Sequence, residues 1–195
     1  MTFKIFKYQS VTSTNDVAIN LIKKEKKEKG CVHAIFQTEG RGTKGKKWIS
    51  QKGNLFLSIF FQLKKKYPPF NEFSIINPII ISEILKLFCD EKSIGLKFPN
   101  DILVNKKKIC GVLQEVISFN DKKFLIIGIG LNVIKNPTIK NKYEATNIYE
   151  ESNKKTKTNE IINLIISSYE KFFLNINSYN YLKFKKKADL MVKNK

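Results

Sequence analysis

The sequence predicts an α+β fold, a mixed, mostly antiparallel sheet packed against helices, and three observations predict it. From Ile94 to Val133 the chain reads as short apolar strands separated by turn residues, which is a meander. Apolar residues at helical spacing occur near the start, in the middle and towards the end of the chain. The 195 residues, 42% of them hydrophobic, suffice for one substantial core but not for two large ones. A meander framed by helices is satisfied by placing the helices on one face of the sheet. We expect one domain, and the sequence has no internal repeat.

Phe3, Ile5 and Phe6 open the first strand, and Ser10 to Asn15 is rich in residues that cap helices. A helix from Thr14 to Lys27 follows, with Val17, Ala18, Leu21 and Ile22 on one buried stripe and Gly30 beyond its end. Cys31 to Gln37 has strand character, Thr38 to Gly53 is a polar loop, and Leu55 to Leu63 is a buried strand. After a lysine and proline stretch, Glu72 to Asp90 is a central helix in which Pro78 either introduces a kink or marks the true start. Four strands are expected next: Ile94 to Phe98, Ile102 to Val104, Lys108 to Ile117 and Phe124 to Val133. Pro137 to Lys157 is polar and reads as irregular. Asn159 to Ile176 carries the helical set Ile161, Ile162, Leu164, Ile165, Tyr169, Phe172 and Phe173.

Composition narrows the function. The first residues, Met1 to Tyr8, alternate apolar and lysine residues and lack the apolar stretch of a secretory signal. No apolar run approaches the roughly 20 residues a bilayer requires, so a cytoplasmic protein with no membrane partner is expected. Cys31, Cys89 and Cys110 form no metal-spaced pair, and neither a disulfide framework nor a protein-ligated metal is expected. The net charge of +19 suggests phosphate partners, yet the cations are almost all dispersed lysines and Arg41 is the one arginine. Specific nucleic-acid recognition favours arginine forks, so no specific nucleic-acid partner is expected.

The sharpest local pattern is Gly40-Arg41-Gly42-Thr43-Lys44-Gly45-Lys46-Lys47-Trp48. Its small residues allow close backbone approach and its cations suit an anion; equally, such a stretch can be a solvated basic turn. It is not a P-loop, which would end Gly-Lys-Ser/Thr and enter a helix, and it lacks the third glycine of the dinucleotide fingerprint. Four other segments stand out, the first three being Ser13-Thr14-Asn15, which can cap a helix and bind a ligand alike, Lys97-Phe98-Pro99-Asn100-Asp101, and Lys106-Lys107-Lys108-Ile109-Cys110-Gly111. Gly128-Ile129-Gly130-Leu131-Asn132-Val133 is the last.

In this order, these segments resemble the catalytic domain of biotin protein ligases over about residues 5 to 185. That family's pattern is a Ser-Thr-Asn opening, a Gly-Arg-Gly loop ending in Trp, a Lys-Trp-Pro-Asn-Asp segment, a Lys-x-x-Gly strand and a Gly-x-Gly-x-Asn strand. The resemblance implies the class II aminoacyl-tRNA synthetase-like fold shared by biotin and lipoate ligases. It implies ATP-driven formation of biotinyl-5'-AMP and transfer of biotin to a lysine of a biotin carboxyl carrier protein of acetyl-CoA carboxylase or a related carboxylase. ATP with Mg2+ and biotin are the small molecules implied, and a homodimer is left open.

The resemblance also implies roles. Lys108, Arg41 and Asp101 are the catalytic set: Lys108 holds carboxylate and α-phosphate oxygens together, Arg41 projects from the closing loop, and Asp101 orients the acceptor amine. Ser13, Thr14, Asn15 and Gln37, with Gly40, Arg41 and Gly111, take biotin. Trp48 and Asn132, with Arg41 and Lys108, take the nucleotide. Two anions repel until cations neutralise them, so cations are what this reaction needs. An enzyme nucleophile is not required. Cys110 is read as a small buried thiol on the strand face of Lys108, His33 as structural, and Trp48 as either an adenine platform or ordinary core.

The chain departs from the family at Thr43, where many relatives have a second arginine, and at Phe98, which replaces a Trp and should keep its packing. Residues 1–185 are expected to be the catalytic domain and 186–195 a tail, with neither a helix-turn-helix before Met1 nor a small SH3-like domain after it. The nearest alternative is a lipoate protein ligase, whose loop resembles Arg-Arg-x-Ser-Gly-Gly-Gly; a basic nucleic-acid-binding module is the other.

Overall fold

A computed structural model describes residues 1–137 and 144–192. Seven strands form one sheet in the order β1-β2-β3-β7-β6-β5-β4. They are β1 Ile5–Val11, β2 Lys29–Gln37, β3 Leu55–Gln62, β4 Ile94–Lys97, β5 Asp101–Val104, β6 Lys107–Phe119 and β7 Lys122–Leu131. Only β1 and β2 pair in parallel, and every other neighbouring pair is antiparallel. The hairpins β5–β6 and β6–β7 turn on Asn105-Lys106 and Asn120-Asp121, each with positive φ at both central residues. Two-residue hairpin turns need that conformation, and Asn and Asp tolerate it.

The five described helices are α1 Thr14–Lys23, α2 Phe73–Leu85, α3 Ile148–Ser152, α4 Thr158–Leu174 and α5 Tyr181–Met191. They do not share one face, as the sequence suggested. Along β3, Leu55, Leu57, Ile59 and Phe61 join the large core with α2 and α4, whereas Phe60 faces Ala18, Leu21 and Ile22 of α1 in a second core with Val32 and Ile126. A strand buried on both faces reads as a near-continuous apolar run, which is what Leu55 to Phe61 is apart from Ser58.

Other departures have local causes. Helix α1 stops at Lys23 because Lys24, Glu25, Lys26 and Lys27 offer nothing to bury; Lys26 turns to positive φ and the Lys27 N–H closes on the Leu21 carbonyl at 3.0 Å. Pro78 lies inside α2, and a short 3-10 turn, Phe70–Glu72, stands where the helix was expected to begin. The polar stretch after Pro137 contains α3, whose start is capped by Asn147 accepting the Glu150 N–H at 2.9 Å; residues 138–143 of that stretch lie outside the described residues. Helix α5 was hidden by its lysines: Asn180 caps it, accepting from Lys183 N at 3.1 Å, Ala188 is buried, and the helix continues past position 185. No described helix is long and apolar enough to cross a membrane.

A chain of polar contacts, buried at its Tyr169 end, ties the helix layer to the sheet. The Tyr169 hydroxyl donates to Asn77 Oδ1 (2.9 Å), Asn77 Nδ2 to Gln114 Oε1 (3.2 Å), and Gln114 Nε2 to the Phe70 carbonyl (2.6 Å). Tyr169 and Asn77 are fully buried. Tyr169→Phe would strip a buried acceptor of its donor, at a cost of about 1–3 kcal/mol. Urea unfolding is expected to show that loss as a lower midpoint with unchanged slope.

Candidate active site

A cavity of about 280 Å³ opens between the N-terminus of α1, the Gly40 to Trp48 loop and the surface of β6 and β7. Its depth comes from missing side chains. A Cβ on Gly128 would lie 2.5 Å from Asn15 Oδ1, one on Gly130 would lie 2.3 Å from Trp48 Cε2, and one on Gly111 would lie 2.6 Å from Trp48 Cζ3. All three point to the α1 face, while Ile127, Ile129 and Leu131 point to the opposite core.

Lys108 reaches this face through an irregularity. Ile102 pairs with Cys110 and Leu103 with Lys108, so Ile109 is an extra residue in β6. Ile109 and Cys110 both turn into the large core and are fully buried, and Lys108 therefore does not share the face of Cys110, as strict alternation had suggested. Lys108 Nζ instead pairs with Asp101 Oδ1 at 2.7 Å and stands 5.3 Å from the Trp48 ring centroid. Burial pushes the Cys110 thiol up to about 12, with Lys108 drawing it down and Asp101 raising it, so thiolate chemistry is unavailable at neutral pH. Burial, aided by Lys7, lowers the pKa of His33, which is buried in β2 away from the cavity wall.

Near Gly128 the wall is uncharged and polar. The Thr14 N–H and hydroxyl donate to Gln37 Oε1 (2.9 and 3.1 Å), Gln37 Nε2 donates to Ser50 Oγ (3.2 Å), and Ser58 Oγ donates to Asn15 Oδ1 (2.5 Å) while lying 2.7 Å from Thr14 Oγ1. Ser13, Thr14 and Asn15 are buried at the start of α1. Ser13 has no side-chain capping bond to the helix, which leaves its hydroxyl unspent on the cap.

The Gly40 to Trp48 loop is folded as a small hairpin. The Trp48 N–H donates to Gly40 O (2.8 Å) and the Gly42 N–H to Lys46 O (2.7 Å), with Lys44 and Gly45 at positive φ in its turn. Arg41 grips Glu115 with both ends of its guanidinium (2.8 and 2.7 Å) and Asp16 at 2.8 Å. Burial works against its charge, yet these two carboxylates outweigh it and hold the pKa above the ordinary arginine value. The Trp48 indole lies over Gly111 and Gly130, outside both hydrophobic cores, and its buried Nε1 has no hydrogen-bond partner among the described residues.

Of the residues anticipated from sequence, Ser13, Thr14, Asn15, Gln37, Arg41, Trp48, Asp101, Lys108 and Gly111 all line the cavity. Gly40 and Asn132 do not. Gly40 sits behind Trp48, where a Cβ would come within 2.5 Å of the Trp48 carbonyl. Asn132 is buried and donates to the Thr146 carbonyl (3.1 Å), while the Thr146 N–H donates to Lys108 O (3.0 Å), so it braces the backbone of Lys108. Thr43 and Phe98 both line the cavity, and Phe98, which was expected to keep the packing of the Trp it replaces, is exposed instead. Sequence reasoning missed Glu115, Asp16 and Ser58. The signals were a lone serine amid the apolar run of β3 and a carboxylate two residues from the inward-facing Leu113.

Trp48 is the one tryptophan of the chain, which makes it a reporter. Gly130→Ala is expected to lift the indole from the floor and shift its fluorescence emission to longer wavelength, with the far-ultraviolet circular dichroism unchanged.

The Biotin/lipoate A/B protein ligase family model matches residues 6–132. The bifunctional ligase/repressor BirA of Escherichia coli (strain K12) is 32% identical over 125 residues, covering 63% of this chain and 38% of that protein, so the chain spans well under half of this relative's length. Among solved structures, a biotin protein ligase from Leishmania major in complex with biotinyl-5-AMP superposes with a TM-score of 0.81 at 28% identity, covering 97% of this chain and 81% of the other. The biotin protein ligase from Aquifex aeolicus in complex with biotin and ATP gives 0.78 at 28% identity, covering 97% and 78%. With its mixed seven-stranded sheet and five ordered motifs, the chain belongs to the Biotin/lipoate A/B protein ligase family.

Proposed function

We propose that this protein is a biotin protein ligase: it condenses biotin with ATP to biotinyl-5'-AMP and passes biotin to a lysine of a biotin carboxyl carrier protein. The observation that carries the reading is that Lys108, Trp48 and the polar set Thr14, Asn15 and Gln37, from distant parts of the chain, meet around one cavity. The two relatives described with biotin or its adenylate cover nearly the whole chain. The loop also lacks the Arg-Arg-x-Ser-Gly-Gly-Gly pattern of lipoate ligases. Residues 1–185 are taken as the catalytic unit, and the cytoplasm, which holds ATP and the carrier, is the compartment this reading implies.

In the first step a carboxylate oxygen of biotin attacks the α-phosphorus of ATP; a carbon–oxygen–phosphorus bridge forms and the bond to pyrophosphate breaks. Lys108 is placed to neutralise both partners, and its pairing with Asp101 holds the ammonium at the glycine floor. Thr14, Asn15 and Gln37 offer the donors and acceptors a ureido ring requires, and Trp48 offers its face and an unpartnered N–H to the nucleotide. Magnesium is expected to arrive with ATP, where it would supply further charge neutralisation. In the second step the neutral acceptor amine attacks the acyl carbon, the bond from that carbon to the phosphate oxygen breaks so that AMP leaves, and the amine's surplus proton passes to solvent; Asp101, on the cavity wall, orients that amine. A closed loop keeps water from the mixed anhydride.

Incubating a carrier domain with ATP, magnesium and biotin is expected to add one biotinyl group, seen by mass spectrometry, with release of pyrophosphate. Modification with lipoate alone would establish the lipoate alternative, and no modification with salt-sensitive retention on nucleic acid would establish the binding-module alternative. Lys108→Ala is expected to lower adenylate formation by about 10²-fold or more while biotin still binds in calorimetry. Unchanged turnover would remove Lys108 from the mechanism.

A further inference from the structure

Glu115 is not part of any motif and does not line the cavity, yet it contacts two residues that do. Its Oε1 and Oε2 take the two guanidinium nitrogens of Arg41 at 2.8 and 2.7 Å, and Oε2 also accepts from Asn15 Nδ2 at 2.7 Å. Asn15 Oδ1 in turn receives the Ser58 hydroxyl. One side chain on the sheet therefore ties together the loop, the start of α1 and, through Asn15, the centre of β3. Asp16, next to Asn15, adds a third contact to Arg41 at 2.8 Å.

We propose that Glu115 is a positioning residue for acid binding, clamping Arg41 and orienting Asn15, and that Arg41 serves in this clamp rather than as a free cation for phosphate. This rests on the biotin-ligase reading only for the identity of the acid. Two features favour the clamp. A guanidinium held end-on by one carboxylate, with a second carboxylate 2.8 Å from the same Nη2, has its charge largely offset, so it has little attraction left for an anion. The orientation of the Asn15 amide is set from both ends, Oδ1 by Ser58 and Nδ2 by Glu115, which a ring with a fixed donor and acceptor order demands of its pocket. Lys44, Lys46, Lys47 and Lys97 also line the cavity and are exposed, so cations outside the clamp remain for phosphates.

Because Arg41 is the one arginine in the chain, an arginine-specific protease has a single site, Arg41–Gly42, and reports on the clamp without any substrate. Glu115→Gln keeps the shape of the side chain but removes its charge. In that variant, cleavage of the folded protein is expected to quicken by about tenfold, and the dissociation constant for biotin to rise by about tenfold, in keeping with loss of charge-assisted hydrogen bonds. KM for ATP should stay within about twofold, since the nucleotide's cations are untouched. Asp16→Asn, which loosens Arg41 but not Asn15, should quicken cleavage to a lesser degree and leave biotin affinity nearly unchanged. A purely structural Glu115 would instead lower thermal stability and move both substrates' constants together. Cleavage at the wild-type rate in both variants overturns the clamp even if Glu115→Gln folds poorly. If the wild-type protein ignores biotin, the ligase reading fails, while the protease still judges the clamp.

Discussion

The extra residue in β6 is the constraint on which the rest of the site depends. Strict alternation would send Lys108 to the face of Cys110, into the helix-side core that holds Tyr169, where an unpaired ammonium would cost several kcal/mol. With Ile109 inserted, two consecutive apolar residues serve the core while Lys108 and Gly111, three positions apart, serve the cavity. A bulge strips backbone groups of their ladder partners, and these must find others. Here the Lys108 N–H donates to Glu144 O, the Lys108 carbonyl accepts from Thr146, and the Ile109 carbonyl accepts from Asn132. The Asn132 side chain holds Thr146 in place. The Gly-x-Gly-x-Asn strand thus contributes floor through its glycines and support through its asparagine.

The same face of the sheet changes character along β7. Phe124 and Ile126 are large and pack under α1, whereas Gly128 and Gly130 carry nothing. That gradient divides the face into a core half and a cavity half, and α1 spans both. Ala18, Leu21 and Ile22 bury against the aromatic half, and the same helix presents Ser13, Thr14 and Asn15 over the glycine half. The polar end of the cavity is therefore held by rigid packing one turn away, which is how a binding residue keeps its geometry.

What could be read from the sequence follows from this division. Periodicity located every strand and helices α1, α2 and α4, because burial on one or two faces leaves a pattern of period two or near 3.6. It could not say that α1 lies opposite α2 and α4, since β3 is apolar on both faces and does not reveal which helix covers which. Helix α5 escaped because Lys183, Lys185, Lys186 and Lys187 outnumber the residues it buries, and α3 because five residues are too few to show a period. The family resemblance named nine residues that do line the cavity, but such a resemblance lists ligand-facing groups and passes over what stands behind them. Glu115 and Ser58 belong to that second layer. Their only signature was a polar side chain at an inward strand position, and the bulge itself left no mark beyond an awkward pairing of Lys108 with Cys110.

The charges of the site are arranged in two tiers, and the distinction explains how so basic a chain can be selective. The wall is paired: Lys108 with Asp101, and Arg41 with both Asp16 and Glu115, two cations against three carboxylates. The rim is not arranged in this way, for Lys44, Lys46, Lys47 and Lys97 project towards solvent. Solvated lysines attract any polyanion, with a reach of about 8 Å at physiological ionic strength, and so gather phosphates without discriminating among them. Wall cations already fixed by carboxylates contribute little to that attraction, but they cost little to order when a substrate arrives, because their positions are set beforehand. An anion can displace Asp101 from Lys108 only by offering better geometry, a selection that a bare lysine could not impose. Attraction therefore belongs to the rim and discrimination to the wall, and the +19 charge of the chain bears only on the first.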